Sequence, residues 1–215
     1  MVTCVHSIRI RSPPPKFFPS HPSPGKETNQ PTPRSGHTFT VVGTNAFLFG
    51  GLCANLPPGP VNDLFILRLG STDHEWCRLT LDTPPPPRWR HTACLIESTQ
   101  ILFLAGFATS DTRHNDAWVF NTVTMEWWQP VPSPTPAVVD GNHLPPTWPG
   151  VPSPRGSHTA TVVAKAGSEK GDVYVFGGYG GSGYSRRDLD DLHVLDTGSW
   201  KWRKVAPKGK GPEVS

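Results

Sequence analysis

The sequence contains the same ordered set of short motifs three times, and this repetition constrains the fold more than any other feature. Each copy opens with Pro-Arg-x-x-His-Thr, with the histidines at His37, His91 and His158. An apolar run that ends in a glycine pair, an Asn-Asp or Asp-Asp step and a late tryptophan follow in the same order. A repeat of several tens of residues indicates one supersecondary unit that stacks against its own copies.

Within each copy the local signals are those of β-strands. Short runs such as TFTVV, AFLFGG and DLFILRL are rich in β-branched, leucine and aromatic residues, and Gly, Pro, Asn and Asp separate them. No stretch shows the 3.6-residue apolar period of a helix. Each copy therefore predicts about four antiparallel strands. Residues 101–104 and 173–176 are apolar on both faces, which predicts sheets covered on both sides.

A stack of such sheets around an axis is a β-propeller. The Pro-Arg-x-x-His-Thr start, the glycine pair, the Asn-Asp turn and the late tryptophan resemble the kelch repeat over about residues 33–210. Copy two departs from the pattern with Ala105, and copy three departs with Asp190. The resemblance implies an all-β, kelch-type propeller, similar to the central domain of galactose oxidase, with four-stranded antiparallel blades.

Three blades are fewer than the four to eight with which propellers usually close, so we expect an incomplete, open arc. The expected blades span about residues 33–86, 87–153 and 154–206. A Pro/Ser-rich, disordered segment is expected over residues 1–32, and residues 207–215 would begin a linker to a missing next blade. The alternative is self-assembly, for instance two chains that form a six-bladed ring.

The repeated residues each fit a structural role. Gly51, Gly106 and Gly178 follow an apolar strand, where a positive φ or a close backbone approach is needed. Asn62, Asn115 and Asp190 fit turns, and Trp76, Trp128 and Trp202 are expected to fill space between blades. Three equivalent histidines could surround a metal ion, but we favour a copied structural role in which each blade-start histidine bonds backbone across a turn. Arg34, Arg88 and Arg155 are expected to form structural ion pairs or loop bonds.

The motifs do not predict an enzyme, a cofactor or a metal site. The galactose oxidases use tyrosine ligands and a cross-linked cysteine, whereas the three tyrosines here all lie in one blade and Tyr174 has no nearby cysteine in sequence. The sequence has no G-x-S-x-G, H-E-x-x-H or P-loop motif. The Gly-rich run 177–183 leads to Asp190 rather than to a helix, so we interpret it as a loop between strands. The cysteines form no Cys-x-x-Cys pair.

Charge and hydropathy restrict the location and the partners. The formal net charge is +3, and residues 1–32 carry all of it. A neutral body does not favour nucleic acid or a membrane surface as a partner. The first twelve residues contain no apolar stretch of signal-peptide length. We therefore expect a cytoplasmic protein, with the nucleus as an alternative.

The expected function is a non-catalytic scaffold whose propeller loops bind a partner protein or peptide. By its resemblance to kelch modules, residues after the glycine pairs and after the Pro-Arg starts line the binding surface. The predicted residues are Ser35, Leu52, Arg90, Phe107, Ser157 and Tyr179, with Arg186 and Arg187 in the long third-blade loop. An arginine near the channel mouth suits an acidic peptide. The alternative is a regulatory propeller fragment of a larger protein, such as a kelch-type Ser/Thr phosphatase or a ubiquitin-ligase adaptor.

Overall fold

The computed structural model describes residues 30–54, 58–70, 72–130, 150–180, 186–206 and residue 208. The segment expected to be disordered (1–32) and the expected linker (207–215) lie almost wholly outside these residues. The described residues form strands and turns and no helix. In particular, they include no helix long and apolar enough to cross a membrane.

The described strands, in chain order, are short. They are β1 (Arg34–Ser35), β2 (Thr38–Val42), β3 (Asn45–Phe49), β4 (Leu52–Cys53), β5 (Gly59–Pro60), β6 (Leu64–Arg68), β7 (Trp76–Leu79), β8 (Thr92–Glu97), β9 (Gln100–Phe107), β10 (Arg113–Asn121), β11 (Glu126–Trp128), β12 (Arg155–Gly156), β13 (Thr159–Ala164), β14 (Gly171–Phe176), β15 (Tyr179–Gly180), β16 (Arg187–Asp188), β17 (Leu192–Asp196) and β18 (Lys201–Val205).

Three four-stranded antiparallel sheets form the three blades. Blade 1 has the order β2-β3-β6-β7, blade 2 has β8-β9-β10-β11, and blade 3 has β13-β14-β17-β18. Each blade is thus a meander in which successive long strands are neighbours. The first strands of neighbouring blades approach each other, β2 to β8 and β8 to β13, so they lie on the inner side of the arc. The prediction of an all-β propeller with four-stranded blades is confirmed.

The sequence did not predict the two small sheets beside blades 1 and 3. One has the order β1-β4-β5 and the other β12-β15-β16. They arise because the residues after the Pro-Arg start pair with the residues after the glycine pair, as in Ser35 with Leu52 and Gly156 with Tyr179. In blade 2 the corresponding residues extend β9 and β10, and an isolated bridge joins Trp89 to Phe107.

Two apolar clusters hold the blades together. The first joins blades 1 and 2 and includes Phe49, Ile66 and Phe103. The second joins blades 2 and 3 and includes Leu102, Val173 and Leu195. Blade 2 is therefore covered on both faces, as the sequence predicted. In the two outer blades the prediction holds only in part. Residues 46–49 of β3 and 64–66 of β6 are buried on both faces, whereas β2 and β13 alternate between exposed and partly buried residues because the second face of each outer blade lies at an end of the arc.

Strand register also corrects the assignment of one repeated tryptophan. Trp76 pairs with Leu67, Trp127 pairs with Phe120, and Trp202 pairs with Leu195. Trp127, rather than Trp128, is therefore the repeated residue of blade 2. Its ring packs among Phe49, Phe103 and Phe120 at centroid distances of 4.9–5.1 Å, between blades 1 and 2. Trp128 contacts Trp200 of blade 3 instead, at 5.3 Å.

Candidate partner-binding surface

Each blade is anchored by an arginine and an aspartate that are far apart in sequence. Arg88 makes two bonds of 2.7 Å to Asp116, and Arg155 makes bonds of 2.6 and 2.9 Å to Asp191. Arg34 pairs with Asp63 in the same way. The same guanidiniums donate to the carbonyls of Gly50, Ala105 and Gly177. These carbonyls lie in the turn of positive φ that follows each apolar strand, so the arginine supplies their hydrogen-bond donor. The expectation of structural ion pairs is confirmed.

Arg88 and Arg155 are fully buried, so these pairs lie in the interior. Burial alone would raise the pKa of Asp116, but the charge and hydrogen bonds of Arg88 hold it below the ordinary value. The aspartates were missed as ion-pair partners in the sequence. Their repetition directly after the turn residues at positions 62, 115 and 190 was the available signal.

The repeated histidines connect one blade to the next. Nε2 of His91 lies 2.9 Å from the hydroxyl of Thr38, and Nε2 of His158 lies 2.8 Å from the hydroxyl of Thr92. Burial lowers the pKa of His158 to about 4 and lowers that of His91 well below its ordinary range, and the nearby arginines act in the same direction. Both buried histidines thus make hydrogen bonds, but the partner is a threonine hydroxyl of the preceding blade and not the backbone across a turn that we expected.

The glycines after the apolar strands allow these histidines to come close. Gly51, Gly106 and Gly178 have φ values of 105°, 106° and 94°. A Cβ on Gly106 would lie 2.8 Å from Cβ of His91, and one on Gly178 would lie 2.8 Å from Cβ of His158. The predicted need for positive φ and close approach is confirmed.

A chain of backbone hydrogen bonds links the three blade starts at the inner side of the arc. The N–H of Arg90 donates to the carbonyl of Gly36 at 2.7 Å, and the N–H of Ser157 donates to the carbonyl of Arg90 at 2.9 Å. All three residues have positive φ, from 52° to 65°. We call Gly36, Arg90 and Ser157 the collar. It shows that Gly36, rather than Ser35, is equivalent to Arg90 and Ser157.

Beside the collar, aromatic and cationic side chains of blades 2 and 3 form one cluster. The guanidinium of Arg113 lies 5.0 Å from the ring centroid of Phe107 and 5.1 Å from that of Tyr179. Arg90 lies over the ring of Trp89 at 4.7 Å, and Trp89 packs against Phe107 at 5.2 Å. These are cation–π geometries, in which the ring faces attract the positive charges.

The electrostatics of this cluster are positive. Arg186 pairs with Asp111, and burial and the charge of Arg186 lower the pKa of Arg113. Arg90 is exposed and lies 3.4 Å from the hydroxyl of Ser157 through its Nη1. The backbone carbonyl of Asp111 accepts a hydrogen bond of 3.3 Å from Nη1 of Arg113, a side chain that is only 7% exposed. We call the accessible residues of this cluster the loop-end surface: Trp89, Arg90, Tyr179 and Arg186.

The structure places the residues predicted for partner binding at the same ends of their blades. Arg90, Ser157, Tyr179 and Arg186 lie in or beside the loop-end surface. Ser35 and Leu52 pair with each other in blade 1, and Arg187 lies in β16 opposite Gly180. Phe107 is only 5% exposed, so its ring supports Arg113 and Trp89 from below. Trp89 and Arg113 were missed, although the motif position of Trp89 beside Arg90 was visible in the sequence.

Stacked four-stranded antiparallel blades with tethered starts define a β-propeller. Comparison with family models matches residues 19–143 to the KLHDC2/KLHL20/DRC7 Kelch-repeats domain and residues 167–209 to the Kelch motif. The chain belongs to the kelch-repeat family.

Curated relatives share this similarity over most of the chain. The chain is 34% identical over 194 residues to the dynein alpha chain of the flagellar outer arm of Chlamydomonas reinhardtii, which covers 88% of this chain and 4% of that protein. It is 33% identical to human host cell factor 1, over 69% of this chain and 7% of that protein. It is 26% identical to mouse Kelch domain-containing protein 3, over 85% and 56%. The chain therefore spans between 4% and 56% of these relatives.

Proposed function

We propose that this chain is a non-catalytic interaction module that binds a partner protein or peptide with its loop-end surface. The observation that carries the proposal is the clustering of three arginines with aromatic rings at one end of the blades: Arg90, Arg113 and Arg186. Kelch-repeat membership and the presence of repeated loops at one end of rigid blades support it.

The chemistry of the surface favours an acidic segment of the partner. Carboxylates form strong, charge-assisted bonds with arginine, and the rings of Trp89 and Tyr179 offer apolar contact area beside them. Ser157 adds a hydroxyl at the collar. A cytoplasmic or nuclear partner fits the three free thiols among the described residues, Cys53, Cys77 and Cys94.

The test is a selection of random peptides displayed on phage against the purified chain, followed by fluorescence anisotropy of labelled hits. We expect the hits to be rich in Asp and Glu. The double variant Arg90→Ala/Tyr179→Ala should weaken their binding at least about tenfold, since each charged hydrogen bond contributes on the order of 2 kcal/mol.

The matched control is Arg203→Ala/Trp128→Ala, which removes an exposed arginine and an exposed aromatic ring from β18 and β11, away from the loop ends. It should bind the hits as the unaltered chain does. Hits without acidic residues would contradict the acidic partner, and equal loss of binding in both double variants would contradict the surface. Thermal unfolding of each variant checks that its fold is intact.

A second candidate is that the chain acts as the recognition part of a larger regulatory protein. The observation in its favour is that the relatives are longer than their aligned kelch regions, by far in the case of the dynein chain. An immunoblot of native tissue with an antibody to a blade 3 peptide tests it. A band well above 23.5 kDa supports this candidate, and a band at that mass contradicts it.

A further inference from the structure

The two junctions between blades have the same composition. At each one the earlier blade supplies a threonine hydroxyl, a collar carbonyl and the apolar face of its second and third strands. The later blade supplies a histidine Nε2 and a collar N–H. Thr38 and Gly36 meet His91 and Arg90 in the first junction, and Thr92 and Arg90 meet His158 and Ser157 in the second.

The two ends of the arc carry the two halves of a third junction. Blade 3 presents the groups that the earlier blade supplies at a junction, because the exposed Thr159 is the counterpart of Thr38 and Thr92. Blade 1 presents the groups that the later blade supplies, because the exposed His37 is the counterpart of His91 and His158. The collar supplies the carbonyl of Ser157 at one end and the N–H of Gly36 at the other.

The apolar faces at these ends match in the same way. On blade 3, Tyr174 and Phe176 occupy the positions that Phe47 and Phe49 occupy in the first junction. On blade 1, Leu48 and Leu67 occupy the positions of Phe103 and Phe120. Of the seven exposed large apolar side chains in the part of the chain that the structure describes, four lie on these two faces: Phe39, Val41, Val163 and Phe176 are 37–50% exposed. Such concentration at two defined faces marks an interaction surface.

We propose that a second copy of this chain covers both faces, so that two three-bladed arcs form one six-bladed ring. Blade 3 of each copy packs against blade 1 of the other, and a two-fold axis runs along the channel. Each junction joins two different surfaces, but the assembly closes at two copies because the same pair of chains forms both junctions. Each junction repeats the His–Thr bond and the collar bond that the chain already contains.

The first experiment measures the mass of the purified full chain in solution at micromolar concentration by light scattering and native mass spectrometry. We expect about 47 kDa, twice the mass of the 23.5 kDa chain. A monomer at these concentrations, or an open-ended series of larger assemblies, overturns the proposal.

Surface variants test the geometry of the pair. Phe39→Glu on blade 1 and Phe176→Glu on blade 3 should each make the chain monomeric, because either change damages both junctions. Val123→Glu, which replaces a 50% exposed residue in the turn between β10 and β11, should leave the dimer intact. A Phe176→Glu chain that stays dimeric indicates a contact between two copies of blade 1 and overturns the ring.

Mixing the two monomeric variants gives the sharpest test. Blade 3 of the Phe39→Glu chain and blade 1 of the Phe176→Glu chain are both unaltered, so the mixture should form a heterodimer through one junction. The mixed dimer should dissociate at a higher concentration than the unaltered dimer does. Absence of mixed dimers, with both variants folded by circular dichroism and tryptophan fluorescence, overturns the head-to-tail arrangement.

Discussion

Glycine and histidine are coupled in this fold at the level of single atoms. Each glycine that ends the apolar strand has a positive φ and leaves space for the histidine that opens its own blade. The blade start can therefore lie against the blade body, and its imidazole can reach the threonine of the preceding blade. Ala105, with a φ of 53°, shows that the first residue of the pair accepts a methyl group.

The Gly106→Ala variant should be less stable by about 2 to 4 kcal/mol, because backbone strain and a clash with His91 act together. The control is Gly43→Ala, where φ is also positive, at 59°, but nothing lies within 4 Å of the new Cβ. It should cost only about 1 kcal/mol. Urea unfolding of both variants measures the difference, and equal losses would show that crowding by His91 is unimportant.

The buried histidines should make the fold sensitive to mild acid. Because the folded pKa of His158 is about 4 and the ordinary value is 6.5, the unfolded chain binds the proton first as pH falls. Stability is then lost between pH 6.5 and about pH 4, by about 3 kcal/mol from this residue. His158→Gln should flatten the dependence of unfolding free energy on pH in that window.

Urea unfolding at several pH values measures this effect. His74→Gln, which alters an exposed histidine, is the control and should follow the unaltered chain. Parallel curves for His158→Gln and the unaltered chain would show that His158 does not contribute to the acid sensitivity.

At the scale of elements, each Arg–Asp pair holds the first residues of a blade against the four-stranded sheet of that blade. Arg88 joins the blade start to the carbonyl of Ala105 at the end of the apolar strand and to Asp116 in β10. One side chain thus fixes three backbone segments that are not adjacent in sequence. The pair is buried, so its effect on stability depends on both charges being present.

Asp116→Asn should therefore destabilise the chain by about 3 to 5 kcal/mol, since it leaves the fully buried Arg88 without a counter-charge. Lys165→Ala, which breaks surface pairs with Asp172 and Asp196, should leave the unfolding midpoint almost unchanged. Thermal and urea unfolding compare the two variants. A similar small effect for Asp116→Asn would mean that water reaches Arg88.

Elements also show what the sequence could and could not predict. The strands of the blades could be recognised because their apolar runs and turn residues recur in three copies. The small sheets could not, because β1, β4, β12 and β15 are two-residue segments without an apolar pattern. Strand register decides which of the adjacent residues Trp127 and Trp128 is the repeated tryptophan, and the sequence alone does not determine that register. Arg113 was missed because its aromatic neighbours lie in two different blades.

Across the whole molecule, the central blade has the most protected core. Ile101, Leu102 and Val119 of blade 2 are fully buried, and each face of this sheet packs against another blade. The apolar side chains of blade 3 are buried against blade 2 on one face only. In a repeat architecture, stability is the sum of each unit and its contacts with neighbours.

We expect amide hydrogens of β9 and β10 to exchange at least about tenfold more slowly than those of β18. Hydrogen exchange with mass spectrometry resolves these segments. The comparison is best made with the Phe39→Glu variant as well, in which blade 3 stays uncovered. Equal protection of β9 and β18 in that variant would mean that the three blades open as one cooperative unit.

The collar separates the geometry of the channel mouth from its chemistry. Its bonds use only main-chain atoms, so the side chains of residues 36, 90 and 157 take no part in them. The natural chain places glycine, arginine and serine there. These three positions form a natural site for directed evolution, where asparagine, aspartate, lysine or glycine tolerate the left-handed backbone to different degrees. A small combinatorial library at the collar could redirect the module to new ligands without redesign of its blades.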